Sequence, residues 1–342
     1  MTSSIRACLV VPLAAMAIAA APASDVPPEL RAVLAREFRF SPSDLADLEK
    51  GKVVTHRLGA TAATEIAAVG AVRVKARKEA LVDRYRDIVQ FKRGADVVEI
   101  GRFGNPPSVE DLAALTVDTQ DVDVRGCRVN DCDIRLPAAA ILRFQTEIDW
   151  KAPDADARAA TLFKEVLLDN VRAYVSGGPG RITEYNDEKR PVRPIDDFAG
   201  LLNSSPYIDE LVPGLSRHLH AFPSSKLSGT EDFLYWSKEK FGLTPFITVT
   251  HVAITRPTHA SYVIASKDVY SSRYLNASLT LTIASDAVRA PDAFYLVYVN
   301  RSRADALKGA FAGLRRTIVE RRGKSSLDEN LKLTKLRLER NF

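Results

Sequence analysis

The sequence predicts an α+β protein in which a curved antiparallel sheet wraps around a long C-terminal helix and carries a helical and hairpin insertion. Four or five segments of strand composition follow one another without intervening helices, which indicates an antiparallel meander. They are Phe233–Ser237, Phe246–Ile254, Ser261–Ser266, Ser278–Ile283 and Phe294–Asn300. A helix predicted over Arg303–Arg322 then closes the sheet, with an apolar stripe of Leu307, Ala310, Phe311, Leu314 and Ile318. Gly323 is expected to end this helix before a final short helix through Arg340.

The chain before the meander is predicted to combine helices with a few strands. Apolar residues at three- and four-residue steps predict the helices Pro28–Phe38, Lys78–Phe91, Ala138–Ile148 and Asp154–Val175. Shorter helical pieces separated by prolines are expected at Ile195–Leu202, Ser205–Leu211 and Leu215–Ala221. Strands are predicted at Val53–Leu58, Glu65–Ala76 and Val97–Ile100. Most helices therefore precede the meander, as is typical of an α+β fold.

The first two dozen residues have the layout of a secretory signal peptide. Met1–Arg6 carries one positive charge, Ala7–Ala21 is an uncharged apolar run, and Ala21-Pro22-Ala23 is a small-x-small cleavage pattern. Cleavage between Ala23 and Ser24 is expected, which predicts a periplasmic or secreted protein. The alternative is a permanent membrane anchor, but the run is short for a bilayer core of ~30 Å and contains Pro12.

The charge distribution argues against a nucleic-acid-binding protein. The 342 residues have a formal net charge of +5, and basic residues alternate with acidic ones along the whole chain. The one dense basic cluster is Arg315, Arg316, Arg321, Arg322 and Lys324. No nucleic-acid-reading motif accompanies it, so we interpret it as the solvated face of a helix. Peripheral contact with anionic lipid headgroups is the alternative for this face.

Two cysteines follow the predicted signal peptide, in the segment Cys127-Arg-Val-Asn-Asp-Cys132. An exported protein meets oxidising conditions, so Cys127 and Cys132 are predicted to form one structural disulfide. Apolar residues alternate with polar ones on both sides, and Asn130-Asp131 has turn chemistry, which predicts a β-hairpin closed by the bridge. A redox-active dithiol would favour Cys-x-x-Cys spacing, and a metal site would need additional ligands.

The sequence contains no familiar catalytic motif. A Gly-x-Ser-x-Gly elbow, a His-Glu-x-x-His helix and a P-loop are all missing. His218-Leu219-His220 is the only close pair of histidines, and its spacing places both on one face only in a strand. Its surroundings predict a helix end, so we expect neither a metal site nor a cofactor there. A dispersed triad around His251 stays open, as does the question of enzymatic activity.

One stretch of the chain resembles the helix-grip architecture of START-domain, Bet v 1-type and related SRPBCC proteins. The early strand Ala71–Ala76, the helix Lys78–Phe91 and the closing helix Arg303–Arg322 follow the element order of that superfamily. The resemblance implies an apolar cavity between the sheet and the C-terminal helix that holds a lipid, a sterol or another apolar molecule. Residues 105–228 depart from the pattern as a large insertion.

The strands of this sheet supply the residues expected to line such a cavity. They are Tyr235, Trp236, His251, Tyr262, Arg273 and Tyr295, with side chains that alternate between the two sheet faces. We therefore expect an exported protein that binds a hydrophobic or amphipathic small molecule without chemistry. Two alternatives stay open: a hydrolase or cyclase that uses His251 in the same cavity, and a cell-envelope interaction module. The sequence does not define the oligomeric state.

These elements divide the chain into four expected parts. Residues 1–23 are the signal peptide, and residues 24–60 are an N-terminal helical segment. Residues 61–322 are expected to form the START-like domain, with the insertion at about 105–228. Residues 323–342 are expected to form a C-terminal helical tail. In the interaction-module alternative, the inserted region contacts the partner.

Overall fold

The structure is a computed structural model that describes residues 24–94, 96–119, 121–178, 180, 184–240, 244–307 and 312–340. The predicted signal peptide lies outside these residues. The helices are α1 Pro28–Arg36, α2 Pro42–Glu49, α3 Lys78–Arg86, α4 Ile88–Phe91, α5 Ala138–Thr146, α6 Ala155–Gly177, α7 Pro194–Asn203, α8 Tyr207–Leu211, α9 Leu215–Ala221 and α10 Ala312–Glu339. The strands are β1 Val54–Arg57, β2 Glu65–Val74, β3 Val97–Arg102, β4 Glu231–Glu239, β5 Phe246–Thr258, β6 Ser261–Ser271, β7 Ala277–Asp286 and β8 Phe294–Arg303.

The eight strands form one antiparallel sheet in the order β1-β2-β8-β7-β6-β5-β4-β3. Strands β4 to β8 are consecutive in the chain and pair with their neighbours, which confirms the predicted meander. Strand β2 joins it by pairing with β8 from Glu65 opposite Arg303 to Val74 opposite Phe294. The predicted α+β class, with a curved antiparallel sheet and a C-terminal helix, is confirmed at this level.

Side-chain alternation divides the sheet into two buried faces. The α10 face contains Val72, Phe233, Val252, Ile264 and Leu296, and packs against α3 and α10. The opposite face contains Val69, Trp236, Val249, Val263 and Val297. It packs against α1, α2 and α7 to α9 in one hydrophobic cluster and against α5 and α6 in another. Helices α5 to α9 all belong to the region predicted as an insertion.

Helix α10 differs from its prediction at both ends. Strand β8 continues to Arg303, and the described helix runs from Ala312 through Gly323 to Glu339 without a break. A glycine inside a helix costs about 1 kcal/mol relative to alanine, which packing of the flanking turns can offset. Ile318 of the predicted apolar stripe is 45% exposed. Ala310 and Phe311 of that stripe lie outside the described residues.

The buried side of α10 is formed instead by Leu327, Leu331 and Leu338. Gly70 of β2 makes this contact close, because a Cβ atom there would lie 2.5 Å from Leu331 Cδ1. The helix is therefore held on β2 by its second half. The sequence prediction placed the apolar contact in the first half.

Cys127 and Cys132 form the predicted disulfide. The surrounding hairpin is shorter than expected: a single β-bridge joins Arg128 and Asp131, and Asn130 has a φ of +70° in the turn. The predicted flanking strands are not formed among the described residues. Their apolar side chains are nevertheless buried in the cluster that contains α6.

The packing of α10 on β2 gives a paired prediction. Leu331 is 4% exposed and Leu333, on the same helix, is 42% exposed. We expect Leu331→Ala to lower the free energy of unfolding by about 2–4 kcal/mol, since it leaves a cavity against β2. Leu333→Ala should change it by less than about 0.5 kcal/mol. Urea unfolding of both variants measures the difference, and equal effects would contradict this packing.

Candidate functional site

A polar cleft of about 1050 Å³ opens where β6 connects to β7 and where β8 ends. Three chain segments and one residue shortly after the end of β8 line it: Asn130–Asp133 with Arg135, Asp187–Arg193 with Asp196 and Asp197, Arg273 and Tyr274 with Asn276, and Asp305. Charged and amide side chains predominate among these residues. Small-molecule sites are usually concave, with a few precisely placed polar groups in a mostly apolar lining, and this cleft differs from most of them in its mainly polar lining.

Main-chain hydrogen bonds fix the wall of the cleft that contains the disulfide. The Asn130 amide donates to the Asn186 carbonyl at 2.7 Å, and the Cys132 amide donates to the Asp187 carbonyl at 3.0 Å. The Arg135 amide donates to the Ser272 carbonyl at 3.0 Å. These bonds join the disulfide turn to two other segments of the lining, so the three segments hold a defined spacing.

Arg135 carries a buried guanidinium into the cleft. The residue is 5% exposed, and its carbonyl accepts a hydrogen bond from the Tyr270 hydroxyl at 3.1 Å. One end of the guanidinium lies 3.8 Å from the Asp305 carboxylate. Among the described residues, Arg135 Nη1 and the nearby Arg273 Nε have no hydrogen-bond partner. Two buried donors in the same cleft therefore lack acceptors, which is costly in a folded protein.

Two buried acceptors in the cleft are also unpartnered within the described residues: Asp187 Oδ1 and Asn276 Oδ1. The Asn276 amide donates to Asp197 at 3.1 Å and to Asp305 at 2.8 Å, which fixes its orientation. Burial raises the pKa of Asp187 to about 6, although the Arg135 charge acts in the other direction. The residues that line the cleft thus include two donors and two acceptors without partners, and one of these acceptors belongs to a carboxyl group with a pKa of about 6.

The sequence-predicted site residues do not converge on one cavity. Only Arg273 lines the polar cleft. Tyr235 and Tyr262 belong to the α10 face, where the Tyr235 hydroxyl accepts from Lys92 Nζ at 3.0 Å. The Tyr262 ring lies 5.0 Å from the Arg256 guanidinium. These two tyrosines are therefore already engaged by basic side chains.

The other three predicted residues, Trp236, His251 and Tyr295, lie on the opposite face of the sheet and are buried there. The Trp236 indole donates to the Asp111 carbonyl at 2.8 Å. Strand alternation separates them from Tyr235 and Tyr262, because neighbouring residues in a strand point to opposite faces.

Sequence reasoning missed Arg135, Asp187 and Asn276. Arg135 follows the disulfide within the alternating run Ile134-Arg135-Leu136, so a polar residue there is expected to face solvent. Its burial depends on contacts with Tyr270 and Ser272, far away in the chain. Nothing in the local pattern indicates that contact.

A second polar cluster joins α9, β4 and β5 on the opposite face. The Nε2 atoms of His218 and His251 lie 2.8 and 2.9 Å from Asp232 Oδ1. The Tyr174 hydroxyl of α6 lies 2.8 Å from His251 Nδ1. His218 and His220 both lie in the helix α9, as the sequence predicts, and they face different sides of it, since His220 is exposed while His218 is buried.

Burial and hydrogen bonding set the charges of this cluster. Burial lowers the pKa of His251 despite the nearby Asp232 carboxylate. Burial alone would raise the pKa of Asp232, but hydrogen bonds from the two imidazoles lower it overall. At neutral pH the cluster therefore contains an ionised Asp232 carboxylate beside the neutral ring of His251. Lys267, opposite His251 in the neighbouring strand, is buried too, and burial lowers its pKa to about 7.

Comparison of the chain with protein-family models, with curated proteins and with solved structures finds no match in any of the three. The resemblance to START-like proteins therefore stays a prediction from the sequence. In the part of the chain that the structure describes, no helix is both long and apolar enough to span a bilayer.

Asp187 makes stability depend on pH. Its pKa is about 6 in the folded protein, compared with about 3.9 for an unfolded aspartate. The folded state holds this proton more tightly, so stability falls between about pH 4 and pH 6 and stays lower above that range. Asp187→Asn removes the titration, and we expect the variant to gain about 3 kcal/mol over the wild type between pH 4 and pH 8. Urea unfolding across this range measures the gap, and a pH-independent difference would contradict the assignment.

Proposed function

We propose that this chain is an exported binding protein that holds a small polar organic acid in the cleft around Arg135. The observation that carries the proposal is that four residues lining the same cleft each have an unpartnered buried polar atom: Arg135 Nη1, Arg273 Nε, Asp187 Oδ1 and Asn276 Oδ1. Buried polar groups are nearly always hydrogen-bonded in native proteins. A bound molecule that supplies the missing partners accounts for their persistence here.

The chemistry of the four atoms indicates the class of ligand. Guanidinium groups bind carboxylates through charge-assisted hydrogen bonds, so the two free arginine donors favour an acid group. The two free acceptors require a hydroxyl or an amine close to that acid. Hydroxy acids, amino acids and sugar acids combine these groups. The volume of about 1050 Å³ is ample for molecules of this size.

Export is supported by the disulfide in the cleft wall. Disulfides persist in oxidising compartments and are rare in the cytosol. The Cys127–Cys132 bridge therefore agrees with the signal-peptide pattern of residues 1–23. Together these features support a periplasmic or secreted binding protein.

The proposal changes both the place and the chemistry of the ligand that the sequence suggested. The apolar side chains of the α10 face are buried against α3 and α10, and the polar cleft lies at the ends of the strands. A lipid-like ligand between the sheet and α10 stays an untested prediction. His251, on which the hydrolase alternative rested, is fully buried and bonded to Asp232 and Tyr174.

Binding assays on arginine variants test the proposal. We expect at least one of D-glucuronate, L-malate and L-serine to bind the wild type, as measured by calorimetry and thermal shift. Arg135→Gln and Arg273→Gln should each weaken that binding by about 10–100-fold, since each removes a charged hydrogen-bond donor. Arg158→Gln is the matched control, because Arg158 is an exposed arginine of α6 that is not among the residues lining the cleft.

Three outcomes would contradict the proposal. The first is that none of the acids binds at millimolar concentration. The second is that D-glucose and glycerol, which lack the acid group, bind as well as the acids do. The third is that Arg273→Gln, at a partly exposed position, binds like the wild type. Circular dichroism of each variant separates lost binding from lost folding.

A further inference from the structure

We propose that His218, Asp232 and His251 form a binding site for a divalent transition-metal ion, and that zinc fits it best. The site lies on the sheet face opposite α10, and none of its residues is among those that line the polar cleft. Two imidazoles and one carboxylate are a common protein ligand set for zinc, and nitrogen ligands favour such ions over calcium or magnesium.

Geometry is the first argument. One ligand atom from each residue lies within 4.8 Å of the other two. The three residues come from three elements: His218 from α9, Asp232 from β4 and His251 from β5. Strands β4 and β5 are paired, with Asp232 opposite Ala253, so the sheet itself fixes two of the ligands. A metal ion needs only small side-chain movements to reach all three.

The hydrogen bonds around the two rings are the second argument. A metal ion needs the Nε2 lone pair, so the ring proton must then lie on Nδ1 and find an acceptor. His218 Nδ1 lies 3.1 Å from the Ser225 carbonyl, and His251 Nδ1 lies 2.8 Å from the Tyr174 hydroxyl. Both are acceptors in position to orient a metal-bound imidazole.

The same contacts satisfy the metal-free form. The Leu227 amide donates to His218 Nδ1 at 3.1 Å, and the Tyr174 hydroxyl can donate to His251 Nδ1. Both rings then donate from Nε2 to Asp232. Each ring can therefore hold its proton on either nitrogen without losing all its partners. This environment allows the change of tautomer that metal binding requires.

Access and charge are the third argument. Both rings are buried, but the Asp232 side chain is 19% exposed, so an ion can enter beside the carboxylate. Three protein ligands leave a fourth position for water. The nearby Lys267 ammonium group is engaged elsewhere: it donates to the Leu219 carbonyl at 3.0 Å and lies 4.2 Å from the Phe198 ring.

Metal titration of the untagged, metal-stripped protein tests the inference. We expect one Zn²⁺ per chain by calorimetry, and a rise of about 5 °C in Tm at 100-fold the Kd. Asp232→Asn and His218→Gln should each abolish this stoichiometric binding. His220→Gln is the matched control, since this exposed histidine lies two residues from His218 and should leave binding unchanged.

Tyr174→Phe tests the positioning role of the hydroxyl without removing a ligand. We expect it to weaken zinc binding by about 10-fold or more, since partners of metal-bound histidines carry that cost. Substituting Co²⁺ gives a visible spectrum that reports nitrogen and oxygen ligation directly. A wild type that binds no zinc overturns the inference. So does a folded Asp232→Asn variant that binds zinc like the wild type.

Discussion

Helices cover both faces of the eight-stranded sheet, so the side chains of its central strands are withdrawn from water on either side. In β5, ten consecutive residues from Phe246 to Thr255 are buried. Hydrophobic side chains gain stability from this arrangement. Any polar side chain on these strands loses its hydration and must find a partner inside the protein. The polar networks of the molecule follow from that constraint.

Most polar side chains of the sheet satisfy the constraint by pairing. Arg301 binds the buried Glu65 at 2.6 Å across β8 and β2. Thr250 donates to Asp268 at 2.9 Å, although burial still raises the pKa of Asp268 to about 7. The cleft around Arg135 is different, because donors and acceptors stand unpartnered together there. The proposed binding site rests on this difference from pairs such as Arg301 and Glu65.

The sequence predicts the strands well because turn residues and apolar runs mark them locally, as with β5 and β7. It predicts the contact face of α10 poorly, since the choice between Ile318 and Leu331 depends on the space that Gly70 leaves in β2. The sequence predicts that side chains alternate along each strand, but it does not predict which face of the sheet each side chain joins. On strands buried on both sides, hydrophobicity does not indicate which face a residue joins. The sequence therefore predicts one cavity for candidate residues that lie on both faces of the sheet.

The disulfide contributes to the site mainly by position. A loop this short contributes at most about 2 kcal/mol to global stability in the chain-entropy model. It does restrict the turn from Cys127 to Cys132. Two main-chain amides of this turn, those of Asn130 and Cys132, donate to the carbonyls of Asn186 and Asp187. Arg135 follows this turn by three residues and carries its guanidinium into the cleft. Formation of the Cys127–Cys132 disulfide in an exported protein would thus restrain one wall of the cleft. The compartment suggested by the signal-peptide pattern is in this way linked to the geometry of the proposed site.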